Sequence, residues 1–451
     1  MPVASLAQSL PFDPADPKAA LAQLPQSAAV FALYGEETHF EPYIGRTPNL
    51  RGRLERLLQP SAKHPRRLQL AGRVRRIEWR LTGSEFESLL TQFSLLEGIY
   101  RAKSLERMHP GASAFVRFLG SNAYPRIVVT HRPSLREADW AYGPFQSRTA
   151  AERFADEALK LFLLRRCTED LDPNPSHPGC VYSEMKMCLA PCYKGCTDEH
   201  YGEEAAAVES FLATRGDSRL VVLRTERDQA SANLEFESAA AIHAQVQRVE
   251  AVHALAPELV RPLSQLRAVI LQASAHPDEV AVFLFENARL RGPAAFSTVG
   301  MRIQNEQSGS SSLFAQPMVI EPIPEETGIR GQGSGISLDR PEEPIPEETL
   351  PAALSAGIAA SDAAPVKIPR GVLEARMEAA LAELAEPSAT GSATLRQGHL
   401  ALLKRWYYRS EARRTGEIYF PDAEGHWPTK AMLRGVGRVA ARMLVAGAVK
   451  A

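Results

Sequence analysis

All five cysteines of the chain fall in one stretch, RRCTEDLDPNPSHPGCVYSEMKMCLAPCYKGC, at Cys167, Cys180, Cys188, Cys192 and Cys196. Twelve, seven and three residues separate the first four, and three more precede the fifth. Four thiolates can close around zinc or an iron–sulfur cluster, and Cys188 and Cys192 either share a helical turn or bracket the Leu-Ala-Pro bend between them. Disulfides and inert buried thiols are the other uses of cysteine. In a chain of 451 residues with no cysteine elsewhere, metal ligation is favoured. A closed set of Cys167, Cys180, Cys188 and Cys192 leaves no open coordination position. It therefore predicts a structural metal, with Cys196 a spare thiol or an alternative fourth ligand.

A second chemistry is carried by charge. The whole chain has a net charge of −1, which provides no global attraction for nucleic acid. Locally, residues 44–107 hold fourteen Lys or Arg against six Glu, a surplus of eight. Arg46, Arg51, Arg53 and Arg56 gather around a helix start marked by Pro48 and Asn49. Exposed backbone N–H groups and the helix dipole favour a phosphate there, although a solvated basic face gives the same composition.

The runs RRC, GCVYSEMKMCLAPC and TDEHYGEEAAAVESFL together resemble the central cysteine segment of UvrC-type excision-repair nucleases, and the likeness covers roughly the first 300 residues. It implies an iron–sulfur cluster, 4Fe-4S by family, where the spacing alone leaves zinc open. VFALYG followed by YIGRTPNLRGRL resembles the GIY-YIG nuclease signature. By that resemblance Tyr43 is the general base, Arg46 takes the place of a nearby lysine, and Arg53 that of the arginine that steadies the scissile phosphate. Two positions depart from the pattern. Phe31 stands where the first signature tyrosine is expected, and SEFESLLTQFSLLEG puts Gln92 at the metal-binding glutamate and Ser94 at a usual asparagine. A neutral amide holds magnesium or manganese poorly, and Glu97 lies off the face of Gln92.

ERDQASANLEFESAAAIHAQVQRVEAV resembles the UVR hairpin, which implies docking on a UvrB-type helicase through Leu234 and Phe236, with Ile242 and Val246 on the same apolar stripe. The resemblance as a whole implies a nucleotide-excision-repair endonuclease that incises damaged double-stranded DNA on the 3′ side. The alternative is a catalytically impaired factor that binds DNA and UvrB.

The elements that must position these residues form a multidomain α/β chain. Residues 1–25 read as a loose leader, 26–108 as a small mixed α/β nuclease domain, and 109–160 as strands with a connecting helix. Residues 161–200 read as the cysteine-cluster module, 201–254 as a helical hairpin, and 255–302 as a small β region. Residues 303–370 are Pro-, Gly- and Ser-rich, repeat EPIPEET at 321–327 and 343–349, and carry nine acidic residues against two basic ones between 304 and 349. Such composition predicts a disordered linker. Residues 371–451 read as a basic helical piece. There Trp406, Tyr407 and Tyr408 among arginines suit either unstacked bases or a core stripe, and LRGVGRVAARML partly matches a helix-hairpin-helix pattern. No apolar run is long enough to span a membrane, so a cytoplasmic location without membrane contact is expected.

Overall fold

A continuous apolar run, AVFALYG, forms a central strand of the first sheet, with residues buried on both faces. In the computed structural model, which describes residues 6–36, 41–58, 70–134, 139–301, 368–385, 392–410 and 413–448, strands β1 (Gln8–Pro11), β2 (Ala29–Gly35), β3 (Tyr43–Thr47) and β4 (Val74–Leu81) pair antiparallel in the order β1-β4-β2-β3. Helices α1 (Pro17–Ala22) and α2 (Leu50–Leu58) cover one face, burying Leu21, Leu50, Leu54 and Leu58 against Phe31 and Leu33. The stretch read as a loose leader therefore contributes a strand and a helix from residue 6 onward. The reason is three apolar anchors without a period: Phe12, Leu21 and Leu24 are all buried.

Helix α3 (Glu85–Tyr100) covers the other face. Ser84 caps it by accepting from the Glu87 N–H at 3.1 Å, and the buried Glu87 accepts in turn from the Gly83 N–H at 2.8 Å. Leu95 packs on Ala32 of β2. Phe86, Leu89, Leu90 and Phe93 point away from that sheet, into a second core. A short helix α4 (Ser104–Met108) follows.

The second sheet runs β6-β5-β7-β8, from β5 (Ala114–Leu119), β6 (Arg126–Thr130), β7 (Ala141–Phe145) and β8 (Arg261–Pro262). Its core is shared with α5 (Arg148–Leu159), α7 (Asp198–Ala213) and the hairpin α8 (Asp217–Ala232) and α9 (Phe236–Ala254); the one-turn helix α6 (Val181–Glu184) lies in the cysteine segment.

The third sheet joins sequence-distant pieces. Strands β9 (Ala268–Ala273), β10 (Glu279–Glu286) and β11 (Arg289–Ser297) form a meander, and β12 (Glu417–Tyr419) pairs with β9, giving the order β11-β10-β9-β12. Helices α10 (Arg370–Ala385) and α12 (Thr429–Ala448) bury Met377, Leu381, Met432 and Val436 on one side. On the other side, α11 (Ala393–Tyr407) packs Leu400 and Leu403 with the outward residues of α3. Gly398 permits this approach, because a Cβ there would lie 2.0 Å from the Phe93 ring. Helices α10, α11 and α12 and strand β12 thus share their packing with the small β region. Trp406 is 3% exposed and donates its indole N–H to the Thr415 carbonyl at 2.9 Å, and Tyr408 donates to the Pro144 carbonyl at 3.0 Å. These rings belong to the core rather than to a base-stacking surface. The Gly-x-Gly segment lies inside the continuous α12, which rules out a helix-hairpin-helix. Both EPIPEET copies fall outside the described residues.

His399 lies inside this second core at 3% exposure and accepts from the Leu290 N–H at 3.0 Å through Nδ1. Burial, reinforced by the Arg289 charge, pushes its pKa down to about 3. The unfolded chain takes up a proton near pH 6.5 that the folded chain refuses. The contribution to stability is therefore complete above that pH and declines as pH falls toward the folded value. Between pH 7 and 5 the wild type is expected to lose about 2 kcal/mol through this group. Denaturant unfolding at both pH values checks it, and an unchanged slope in His399→Asn would remove the histidine from the account.

Candidate functional site

Strand β3 is an edge strand, and its pleat divides the residues expected to act on a phosphate. Tyr43 and Gly45 lie on the face covered by α2, the helix that carries Arg53. Tyr43 packs there, with its ring centroid 6.1 Å from that of Phe31. Phe31 is fully buried, and its ring fills the space where a Cβ on Gly45 would sit, 2.7 Å from the nearest ring carbon. Asn49 caps α2, accepting from the Gly52 N–H at 2.9 Å, as its position in the sequence indicates.

Arg46 emerges on the opposite face, toward α3. Its guanidinium lies 3.4 Å from Glu85, and Arg409 grips the same carboxylate with two hydrogen bonds of 2.7 and 2.8 Å. The Arg409 bonds, with the Arg46 charge beside them, hold the Glu85 carboxyl below its ordinary range. Gln92 is two helical turns from Glu85 on the same stripe of α3. The strand therefore divides these positions: Tyr43 packs with Phe31 on the face covered by α2, the helix that carries Arg53, while Arg46 turns toward α3, the helix that carries Gln92. The start of that strand is fixed from behind: Tyr100 donates to the Pro42 carbonyl at 3.2 Å, and Arg107 covers the Tyr100 ring at 3.8 Å while pairing with Glu41 at 2.8 Å.

The cysteine segment is held by polar contacts more than by apolar packing. Lys186, Ala190 and Lys194 all take positive φ, which folds the chain tightly around Cys188 and Cys192. Ser183 and Cys180 cap α6 reciprocally, and the Asn174 N–H donates to the Cys192 carbonyl at 3.0 Å. Arg165, only 2% exposed, donates to the carbonyls of Tyr124 at 3.0 Å and Glu169 at 2.8 Å, and reaches the Cys167 sulfur at 3.5 Å. Tyr201, fully buried, donates to Pro125 and accepts from the Arg165 N–H.

Cys188 feels the charges of Cys180, Cys192 and Cys167, so the four thiols share one neighbourhood. Burial pushes the thiols of Cys188, Cys192 and Cys196 up, opposed at Cys188 by the Ala190 N–H and at Cys192 by that of Tyr193. Thiolates on one zinc ion sit about 3.8 Å apart, given a metal–sulfur bond near 2.3 Å. Among the described residues no three cysteine sulfurs all lie within 4.8 Å of one another; the group that meets that test is Asp422, Glu424 and His426 on an exposed turn. The four sulfurs are spread wider than a single ion requires. Cys196 feels Asp198 before Cys192, and Cys167, Cys180 and Cys188 do not figure among the charges that act on it.

Residues 115–211 match the family described as UvrC/Cho excinuclease, middle domain. The chain is 28% identical over 237 residues to the UvrABC system protein C of Alcanivorax borkumensis, covering 52% of this chain and 39% of that protein. It is 26% identical over 339 residues to that of Pseudomonas protegens, covering 75% and 52%, and 26% identical over 318 residues to that of Ruminiclostridium cellulolyticum, covering 69% and 51%. Residues 115–211 thus carry a UvrC-type middle domain. The chain spans about half the length, or less, of these curated relatives. No solved structure matches it.

Beyond that UvrC-type middle domain, the hairpin leaves Leu234 71% and Phe236 66% exposed at its turn. Ile242 is half-buried against the second-sheet core, and Val246 is 2% exposed within it. Val246 therefore helps seat the hairpin in the second-sheet core and has no surface to offer a partner. Among the described residues no helix is long and apolar enough to cross a membrane. Two residues of weight escaped the sequence reading. Glu85 had a signal, the SEFE cap, but its partner Arg409 lies 324 positions away. Arg165 abuts Cys167 yet gives no pattern of its own.

Replacing Arg165 with Met strands two carbonyls and a sulfur in a buried site. It is expected to cost about 3 kcal/mol in urea unfolding; a loss below about 1 kcal/mol would show that the loop closes without it. At the hairpin, Leu234→Ser with Phe236→Ser should change stability by less than about 0.5 kcal/mol, whereas Val246→Ser should cost about 3 kcal/mol. Equal costs at both would contradict the division of roles.

Proposed function

We propose that this chain is a nucleotide-excision-repair factor of UvrC type that binds damaged duplex DNA and a UvrB-type helicase while its GIY-YIG-like domain cuts poorly or not at all. The observation that carries this reading is the engagement of Arg46. Its cation lies against Glu85, which is held in turn by Arg409, and the position two turns along the same helix is the neutral Gln92. A phosphate approaching Arg46 must compete with a carboxylate already in place. The buried Phe31 has no hydroxyl to give, so Tyr43 is left as the one signature tyrosine able to accept or donate a proton. Tyr43 and Arg53 retain the chemical types needed to hold a backbone phosphate at the edge of β3, which supports binding more than cleavage.

In this reading Cys167, Cys180, Cys188 and Cys192 hold an iron–sulfur cluster. The resemblance of this segment to the family's cysteine module, with N–H groups directed at Cys188, Cys192 and Cys167, supports a cluster over zinc. The cluster supplies fold stability there. The exposed Leu234 and Phe236 supply an apolar anchor for the helicase partner.

A nicking assay tests the catalytic part. With a lesion-bearing duplex, UvrB and manganese, neither the wild type nor Tyr43→Phe is expected to cut, while both shift the duplex in a mobility assay. Nicking by the wild type that disappears in Tyr43→Phe would restore the 3′-incising endonuclease as the correct reading.

A further inference from the structure

Helices α5, α8 and α9 enclose a pocket of about 600 Å³ that the repair reading leaves unused. Its floor is aliphatic, made by Leu223, Val249 and Val252, all at most 5% exposed, together with Leu161 and Leu255. Its rim is cationic. Arg153, Lys160, Arg219 and Arg248 line it against a single carboxylate, Glu157, which pairs with Lys160 at 2.7 Å. Four cations less one anion leave an excess of three positive charges. Arg219 also lies over the Phe162 ring at 5.3 Å, which braces its guanidinium at the rim.

An apolar floor beneath several guanidiniums selects for a ligand with a flat, weakly polar body and more than one negative charge. The volume is that of a small-molecule site, about 300 to 1,000 Å³. A fatty acid brings one charge for three. An acidic peptide brings backbone amides that need partners, and the floor has none to give. A nucleoside phosphate fits both halves: the base lies on the aliphatic floor, the phosphate oxygens take the planar donors of the arginines, and the Gln245 amide can read a base edge. We propose that this pocket binds a nucleoside phosphate, either free or as one nucleotide of a DNA strand. The proposal stands on the pocket lining alone and is independent of whether the chain cuts DNA.

Titration calorimetry with the full chain tests it, using ADP, dAMP, inorganic phosphate, an oligothymidylate and a synthetic EPIPEET peptide as probes. Arg153 and Arg248 are exposed, so Arg153→Gln with Arg248→Gln should fold with an unchanged melting temperature. The expected result is that the nucleotides bind more tightly than phosphate, and that the double substitution weakens them at least about tenfold. Gln245→Ala should weaken the nucleotides while leaving phosphate unaffected. Substitution-sensitive binding of the oligothymidylate without free nucleotides assigns the site to a strand. The proposal is overturned if neither nucleotides nor oligothymidylate bind, if their binding survives the double substitution, if phosphate binds as tightly as nucleotide, or if only the peptide binds.

Discussion

Helix α3 is buried on two opposite sides, and the arrangement of the chain depends on that fact. Leu95 seats it on the first sheet, while Phe86, Leu89, Leu90 and Phe93 seat it on the third sheet and α11. A helix with apolar residues on two opposite flanks must have a partner on each. The N-terminal sheet supplies one wall. The other comes from residues more than a hundred positions later, and Gly398 shows how close that contact is. Removing the Phe93 ring would open a cavity at the join, a change that costs about 3 to 5 kcal/mol in comparable cores.

Elements governed by local sequence were legible. Strands β2 and β3, the Asn49 cap, the hairpin with its turn near Asn233, and the meander β9 to β11 all announce themselves by period and by turn residues. What period cannot show is partnership. AVILQA reads as a strand, but nothing in it names Glu417–Tyr419 as its neighbour. WYY among arginines reads equally as stacking surface or core, and the burial of Trp406 with the hydrogen bonds of Trp406 to Thr415 and Tyr408 to Pro144 decides for core. Val246 and Phe236 share an apolar character yet meet different fates, because the second-sheet core encloses the first while the second stays exposed among the described residues.

The nuclease-like face shows the same limit in electrostatic form. Residue types suggest that Tyr43, Arg46 and Arg53 act together, but strand geometry sends Arg46 to the side opposite the tyrosine. There it meets an acid fixed by a cation from the far end of the chain. The cysteine segment lies at the other extreme: its crowding of thiols was evident from composition, whereas the buried Arg165 and Tyr201 that hold the loop became visible only in three dimensions.

The double grip of Arg409 on Glu85 ties the fate of the two chain ends together. Because the first sheet and the last helices share a wall, this molecule resists dissection into independently soluble modules along its sequence. A fragment stopping before residue 368 would present the aromatic flank of α3 to water, and one starting there would lack the surface on which α11 condenses. Inheritance of the N-terminal half without the C-terminal helices would therefore leave a sticky, chaperone-dependent remnant, so loss of either end by truncation carries a solubility penalty independent of any lost chemistry.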